Sequence, residues 1–248
     1  MDKALKSVLD WWDAAGVDVP DVTVSAPKRK TPARAKPAAT AKKSAPQPTA
    51  PKPIIDAAPI AAKAKTLAEL KTAMDSFDAG TLSGHARQCV FARGNPDADV
   101  MVIGEAPGRE EDIAGKPFIG PAGQLMDKML ASIGLTEETA YLTTVVNWRL
   151  PKNRNPTAED IALCAPFLQR HIELAEPKVI LMVGKASLFA MTGLSGIMKN
   201  RGQWQTVKVA EKNIPALPIY HPDLLMKQPV LKKEAWRDLL ALRERLKA

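Results

Sequence analysis

The sequence contains few cysteines, few histidines and no long hydrophobic run. Its two cysteines, Cys89 and Cys164, are too few for a disulfide framework or for a four-thiolate metal or cluster site within one chain. No apolar run reaches the roughly 18 residues that a membrane-spanning helix requires. The N-terminus carries acidic residues among its lysines and does not resemble a secretory signal. We therefore expect a cytoplasmic protein without a membrane segment.

The excess of basic residues is concentrated at one end of the chain. The net charge is +8, and residues 1–65 hold 12 Lys and Arg against 6 Asp and Glu. Residues 66–248 hold 23 against 21 and are nearly neutral. Any binding of nucleic acid by this second part must therefore depend on local arrangement rather than on overall charge.

The N-terminal region has two compositions. Residues 3–15 place large apolar side chains at helical spacing, which predicts a short amphipathic helix within residues 1–16. Residues 22–55 contain eight basic residues, seven prolines and no acid, a composition that predicts a disordered linker over residues 17–65. Two roles are open for this linker: a solvated tether, or an arm that scans DNA by neutralising phosphates. The folded domain is then expected over residues 66–248.

Strand-like and helix-like patterns alternate after residue 66. Apolar strand-like runs occupy residues 100–103, 141–146, 179–183 and 217–220. Helical patterns occupy residues 67–77, 124–133, 158–174, 185–191 and 231–246. This alternation, with nearly continuous apolar strands, predicts an α/β fold whose parallel sheet is covered on both faces. Residues 204–209 are expected to add an edge strand.

Two loops at the carboxyl ends of predicted strands hold unusual residues. The first strand runs into G-E-A-P-G-R-E-E-D at residues 104–112, where glycines allow close approach of the backbone to a ligand. The last strand ends at His221, before a proline that stiffens the turn. Ligands of open α/β sheets bind at this end of the strands. No Walker lysine, G-x-G-x-x-G or G-x-S-x-G motif is present, which disfavours a nucleotide-phosphate loop and an α/β-hydrolase.

These two loops together resemble the signature motifs of the family-4 uracil-DNA glycosylases. The similarity continues, in order, through K-P-F-I-G at 116–120, G-Q-L at 123–125, N-R-N-P at 153–156, R-G at 201–202 and W-R-D-L at 236–239. It implies a three-layer α/β/α fold with a four-stranded parallel sheet. It also implies a base-excision-repair hydrolase that removes uracil from DNA, expected as a monomer whose partner is DNA containing uracil or abasic sites.

The resemblance also assigns catalytic roles. Hydrolysis of an N-glycosidic bond builds positive charge on the sugar and negative charge on the departing base. Glu105 would align water and stabilise the sugar cation, with Asp112 as a weaker second candidate. His221 would stabilise the base anion. Phe118 would stack on the base after its extrusion from the helix.

Further residues are implied at the base or the DNA. Backbone amides around Ala106 and Gly108 are expected to contact base or phosphate. Leu224 or Leu225 is expected to wedge into the space that the base leaves in the minor groove. The complete implied set is Gly104, Ala106, Gly108, Phe118, Thr144, Pro222, Leu224, Leu225 and Arg201.

The chain departs from the family at the iron–sulfur ligands. Family-4 enzymes usually hold a [4Fe–4S] cluster on four cysteines. Gly80 and Ser83 stand where the first two are expected, and Trp148 stands where the third is expected. Only Cys164 matches a ligand position, so we expect no cofactor and no metal, with packing around Trp148 in the place of the cluster.

A second departure concerns base recognition. The family's second strand ends in an asparagine whose amide reads the uracil edge, and Thr144 occupies that position here. A hydroxyl offers one rotatable donor and two lone pairs instead of a planar amide. Two alternatives therefore accompany the glycosylase interpretation: altered specificity toward xanthine or hypoxanthine, and a binder of abasic or uracil-containing DNA with little turnover.

Overall fold

The computed structural model of the chain describes residues 56–247. The predicted N-terminal helix, the DNA-scanning arm and most of the predicted linker lie outside these residues. Residues 56–65 are corrected from linker to folded structure, because α1 (Ala58–Lys63) packs on a helix spanning Ala158–Ala175. Ala57, Ala61 and Ala64 are buried at helical spacing. Alanines that resemble low-complexity sequence thus bury a helical face.

The sheet has four parallel strands in its centre. Its strands are β1 (Arg93–Gly94), β2 (Val100–Gly104), β3 (Ala140–Thr144), β4 (Val179–Val183), β5 (Gln205–Val209) and β6 (Lys212–Ile219). They are arranged in the order β1-β3-β2-β4-β6-β5. The inner four are parallel, as predicted, whereas β1 and β5 are antiparallel edges that raise the count from four to six. The expected edge strand at 204–209 is confirmed as β5.

Helices cover both faces of this sheet. They are α2 (Leu67–Asp75), α3 (Thr81–His85), α4 (Arg109–Ala114), α5 (Pro121–Ala131), α6 (Ala158–Ala175), α7 (Lys185–Thr192), α8 (Ile197–Asn200), α9 (Pro222–Lys227) and α10 (Lys232–Lys247). Side chains alternate along β2, so Met101 and Ile103 face the core formed with α2, α6 and α7, whereas Val100 and Val102 face α5 and α10. The three-layer prediction is confirmed. None of the described helices combines the length and apolarity needed to cross a membrane.

The parallel strands bring distant loops together. β2 pairs with both β3 and β4, and β4 pairs with β6, so the carboxyl ends of all four lie along one edge. The loop after β2, the glycine after β4 and the histidine after β6 therefore meet there.

Candidate active site

A pocket of about 330 Å³ opens at the carboxyl ends of the parallel strands. Its volume is typical of small-ligand sites. Six of the predicted site residues line it: Glu105, Ala106, Gly108, Phe118, Thr144 and His221. The fold thus joins the two loops that the sequence singled out.

Glu105 is anchored by the first turn of α7. Its Oε1 accepts a hydrogen bond of 2.9 Å from the backbone N–H of Ala186, and a helix N-terminus favours a negative charge. Gly184 makes this approach possible, since a Cβ there would lie 2.5 Å from Oε1. No other side-chain or backbone group of residues 56–247 donates to the carboxylate, so Oε2 is available to a water molecule in the pocket.

His221 is held as the N-cap of α9. The backbone N–H of Asp223 donates to its Nδ1 over 3.2 Å. Burial lowers the pKa of His221, against the opposing influence of Glu105, Asp223 and Glu111. Because Nδ1 is an acceptor, the neutral imidazole carries its proton on Nε2, which makes Nε2 a hydrogen-bond donor.

Phe118 forms an aromatic wall beside His221. The ring centroids are 6.3 Å apart and the planes differ by 24°. Phe118 has a φ of 56°, in the left-handed region that bulky residues rarely adopt. A Cβ on Gly104 would lie 2.5 Å from the Phe118 ring. Gly104 therefore provides the space that the aromatic wall occupies.

Comparison with known proteins assigns this arrangement to a family. The sequence profile described as "Uracil DNA glycosylase superfamily" matches residues 91–240. The chain belongs to this superfamily. Proteins named type-4 uracil-DNA glycosylase from Sulfurisphaera tokodaii and Archaeoglobus fulgidus are 40% and 38% identical to it over 161 and 156 residues. These matches cover 62% and 61% of this chain and 73% and 78% of the relatives.

A more distant relative gives the range of the similarity. A protein named type-5 uracil-DNA glycosylase from Pyrobaculum aerophilum is 30% identical over 118 residues, covering 42% of this chain and 52% of that relative. The identities of 40% and 38% to the two type-4 proteins confirm the family-4 resemblance read from the motifs.

The Thr144 hydroxyl presents its lone pairs, rather than its proton, to the pocket. Its hydroxyl donates to the carbonyl of Val146 over 2.9 Å, which leaves lone pairs for a ligand. Asn147 does not supply the missing amide, because its Nδ2 donates to the carbonyl of Val90 over 2.9 Å. Thr144 therefore offers the pocket a hydroxyl oxygen as an acceptor.

Asp112 and Arg201 are among the predicted residues that do not line the pocket. Asp112 is buried and accepts a hydrogen bond of 2.8 Å from the backbone N–H of Arg87, which corrects its assignment as a second catalytic carboxylate. Arg201 forms an ion pair with Asp238 and donates to the carbonyl of Glu234 over 3.0 Å. These hydrogen bonds occupy the guanidinium inside the fold, which corrects the prediction that Arg201 contacts the base or the DNA.

The wedge prediction also changes. Leu225 is only 1% exposed and packs with Tyr220 and Ala235, so it cannot enter DNA without leaving the core. Leu224 is half-buried against the same cluster, and Pro222 is buried at the first position of α9. The exposed apolar side chain of this helix is Met226.

Sequence reasoning missed Glu111 and Gly184. Glu111 lines the pocket and accepts a hydrogen bond of 3.0 Å from the backbone N–H of Gly108, so that amide is not free for base or phosphate as predicted. The signal was its spacing, since a glutamate three residues after a helix N-cap is typical of a capping box. Gly184 lies directly after β4, just as Glu105 lies directly after β2. A glycine at the carboxyl end of a strand indicates close approach of another group, and this was the signal for Gly184.

Apolar packing surrounds Trp148 and Cys164, two positions where the resemblance implies iron–sulfur ligands. Trp148 is buried with its ring centroid 6.2 Å from that of Phe77, and Phe77 packs edge-on against Phe167 at 5.0 Å. We call these three residues the aromatic cluster. Cys164 beside it is fully buried, and burial raises the pKa of its thiol to about 12. A [4Fe–4S] cluster requires four ligands, usually thiolates, so the residues present do not fit this cofactor.

Proposed function

We propose that this chain is a uracil-DNA glycosylase of base-excision repair, a hydrolase of the N-glycosidic bond. The observation that carries the proposal is the pairing of Glu105 and His221 in one pocket. The carboxylate is anchored with one oxygen free, and the imidazole is held as a neutral Nε2 donor. These are the two groups that the reaction requires.

The proposed reaction follows from these positions. The bond between the sugar C1′ and the base nitrogen breaks, and its electron pair leaves with the base. Glu105 stabilises the cationic sugar and aligns the water that adds to C1′, accepting its proton. The Nε2–H of His221 donates to the carbonyl oxygen on which the base anion accumulates charge. The products are an abasic sugar and free uracil, which takes up a proton.

The Thr144 hydroxyl supports recognition of an imide base. Its free lone pairs complement an N–H donor, and uracil carries such a donor at N3. Hypoxanthine and xanthine also carry ring N–H donors, so this observation supports a second candidate function with broader base specificity. Thr144→Val removes the acceptor at nearly constant shape and should slow uracil release by about tenfold.

We also propose that the enzyme works without an iron–sulfur cluster, with the aromatic cluster filling that region. The basic segment at residues 22–55 is proposed to tether the enzyme or to scan DNA. If the segment scans DNA, removing residues 1–55 should weaken salt-sensitive DNA binding and leave the chemical step intact. An unchanged salt dependence would favour the tether.

A base-release assay tests the proposed function. The substrates are duplexes containing uracil, xanthine, hypoxanthine or cytosine, at enzyme excess. We expect free uracil and an alkali-labile site, with cytosine retained. Tight binding of uracil-containing DNA without release of any base would instead support a lesion binder.

A further inference from the structure

The backbone around Phe118 is held in an unusual conformation. Phe118 has a φ of 56°, and a strained residue of this kind persists only where its surroundings determine it from several sides. A Cβ on Gly123 would lie 1.9 Å from the Phe118 carbonyl oxygen, so α5 packs directly against this backbone. We call residues 117–120 the Phe118 loop.

Glu111 holds the Phe118 loop from one side. Its Oε1 accepts hydrogen bonds from the backbone N–H groups of Ile119 and Gly120, over 3.1 and 2.9 Å. Its Oε2 accepts from the N–H of Gly108 over 3.0 Å. The side chain is buried. A single carboxylate therefore joins the loop that follows Glu105 to the loop that carries Phe118.

Arg93 holds the same loop from the other side. Its Nε donates to the carbonyl of Pro117 over 2.8 Å, and its Nη2 donates to the carbonyl of Phe118 over 3.0 Å. Asp127 pairs with the guanidinium, whose side chain is only 7% exposed. The cationic Arg93 thus binds carbonyls of the loop and the anionic Glu111 binds its N–H groups, so charge-assisted hydrogen bonds restrain both kinds of backbone group.

We propose that Glu111 and Arg93 are positioning residues that hold Phe118 in place to stack on the extruded base. The proposal rests on the proposed function, in which Phe118 contacts that base. Both side chains direct their polar atoms at the backbone of the Phe118 loop, so they act through it. A misplacement of the stacking ring slows the chemical step without removing the charges that attract DNA.

Glu111→Gln tests the proposal with little change in shape. The amide keeps one acceptor oxygen but turns its NH₂ toward a backbone N–H, so part of the contact is lost. Uracil release in a single turnover should slow about 10- to 100-fold. Inhibition by free uracil should weaken, whereas the affinity for a duplex that contains no uracil should stay constant. Glu110→Gln, which removes the same charge from the exposed neighbouring residue, should leave the release rate unchanged.

A double-mutant cycle with Phe118→Ala gives the deciding result. If Glu111 acts through Phe118, Glu111→Gln should cost little further activity once the ring is gone. Arg93→Lys should show the same dependence from strand β1, and it replaces Glu111→Gln if that variant does not fold. Equal losses with and without the Phe118 ring would overturn the positioning role. If Phe118→Ala itself releases uracil at the wild-type rate, the stacking role in the proposed function fails instead.

Discussion

The pocket and the aromatic cluster are built by different means. In the pocket, a backbone N–H orients Glu105, another orients His221, and glycines provide the space. In the aromatic cluster, three rings and a buried thiol pack by shape. Groups that perform chemistry need a fixed direction, which hydrogen bonds supply, whereas a structural element needs only to exclude water and fill volume. The two regions should therefore respond to substitution in opposite ways.

The largest effect is expected in the pocket. Glu105→Gln keeps the acceptor for the Ala186 N–H but removes the charge, and His221→Ala removes the Nε2 donor. Each should lower the single-turnover rate of uracil release by about 10²- to 10⁴-fold. The melting temperature and the affinity for DNA should change little. Near-normal release by both variants would remove these residues from the mechanism.

Substitution in the aromatic cluster should lower stability and leave activity unchanged. Trp148→Ala deletes a buried ring and should lower the free energy of unfolding by about 3–5 kcal/mol, measured by urea denaturation. The molecules that remain folded should release uracil at the normal rate. Trp236→Ala is the matched control, because this residue is 42% exposed and its loss should cost clearly less stability than the loss of Trp148. A specific loss of activity in Trp148→Ala at full stability would contradict a purely structural role.

A smaller effect on activity is expected at Gly184. Gly184→Ala places a Cβ 2.5 Å from the Glu105 carboxylate, so that carboxylate must shift. Release of uracil should slow about tenfold or more. Gly193→Ala at the other end of α7 is the control: its φ is also positive, but a Cβ there meets nothing within 4 Å. Both variants strain the backbone, so only a difference in rate between them supports the contact with Glu105.

The smallest effect at neutral pH concerns His171, which lies outside both regions and affects stability only in acid. Burial lowers the pKa of His171 from 6.5 to about 3, and its Nε2 shares a 2.9 Å hydrogen bond with the Tyr141 hydroxyl. Above pH 6.5 the folded and unfolded forms are both neutral at this site. As the pH falls below 6.5, the unfolded form binds a proton that the folded form excludes until about pH 3. Stability should therefore fall by about 1.4 kcal/mol per pH unit over that window.

His171→Asn removes this titration. The variant should show a flatter decline of stability in acid, measured by urea denaturation at a series of pH values. A decline as steep as that of the unmodified protein would show that other groups cause the acid sensitivity.

The central fold was predictable because its strands are continuous apolar runs. The predicted run at 179–183 coincides with β4, and the run at 100–103 differs from β2 by one residue. β1 has two residues, Arg93 and Gly94, and no apolar pattern could indicate it. β6 begins before its apolar run, because residues from Lys212 onward pair with β5 in a hairpin. The extent of such an edge strand is set by its pairing with the neighbouring strand, which the pattern of its own residues does not show.

The site was predictable only where chemistry coincided with a strand end. Glu105 directly follows β2 and His221 lies two residues after the end of β6, so parallel topology brings them together. The contact of Gly184 with Glu105 and that of Arg93 with the Phe118 loop join residues far apart in sequence. Arg201 was misassigned for the same reason, since its partner Asp238 lies 37 residues away. A single sequence shows which residues carry charge, but not which of those charges are already paired.

The most direct test is a single-turnover assay on a uracil-containing duplex, performed on the full chain with its iron content measured in the same preparation. We predict release of free uracil by protein that contains far less than one cluster per chain and that keeps its activity after treatment with a chelator. Stoichiometric iron together with loss of activity on chelation would contradict a cluster-free enzyme. Absence of uracil release by folded, DNA-binding protein would contradict the glycosylase itself.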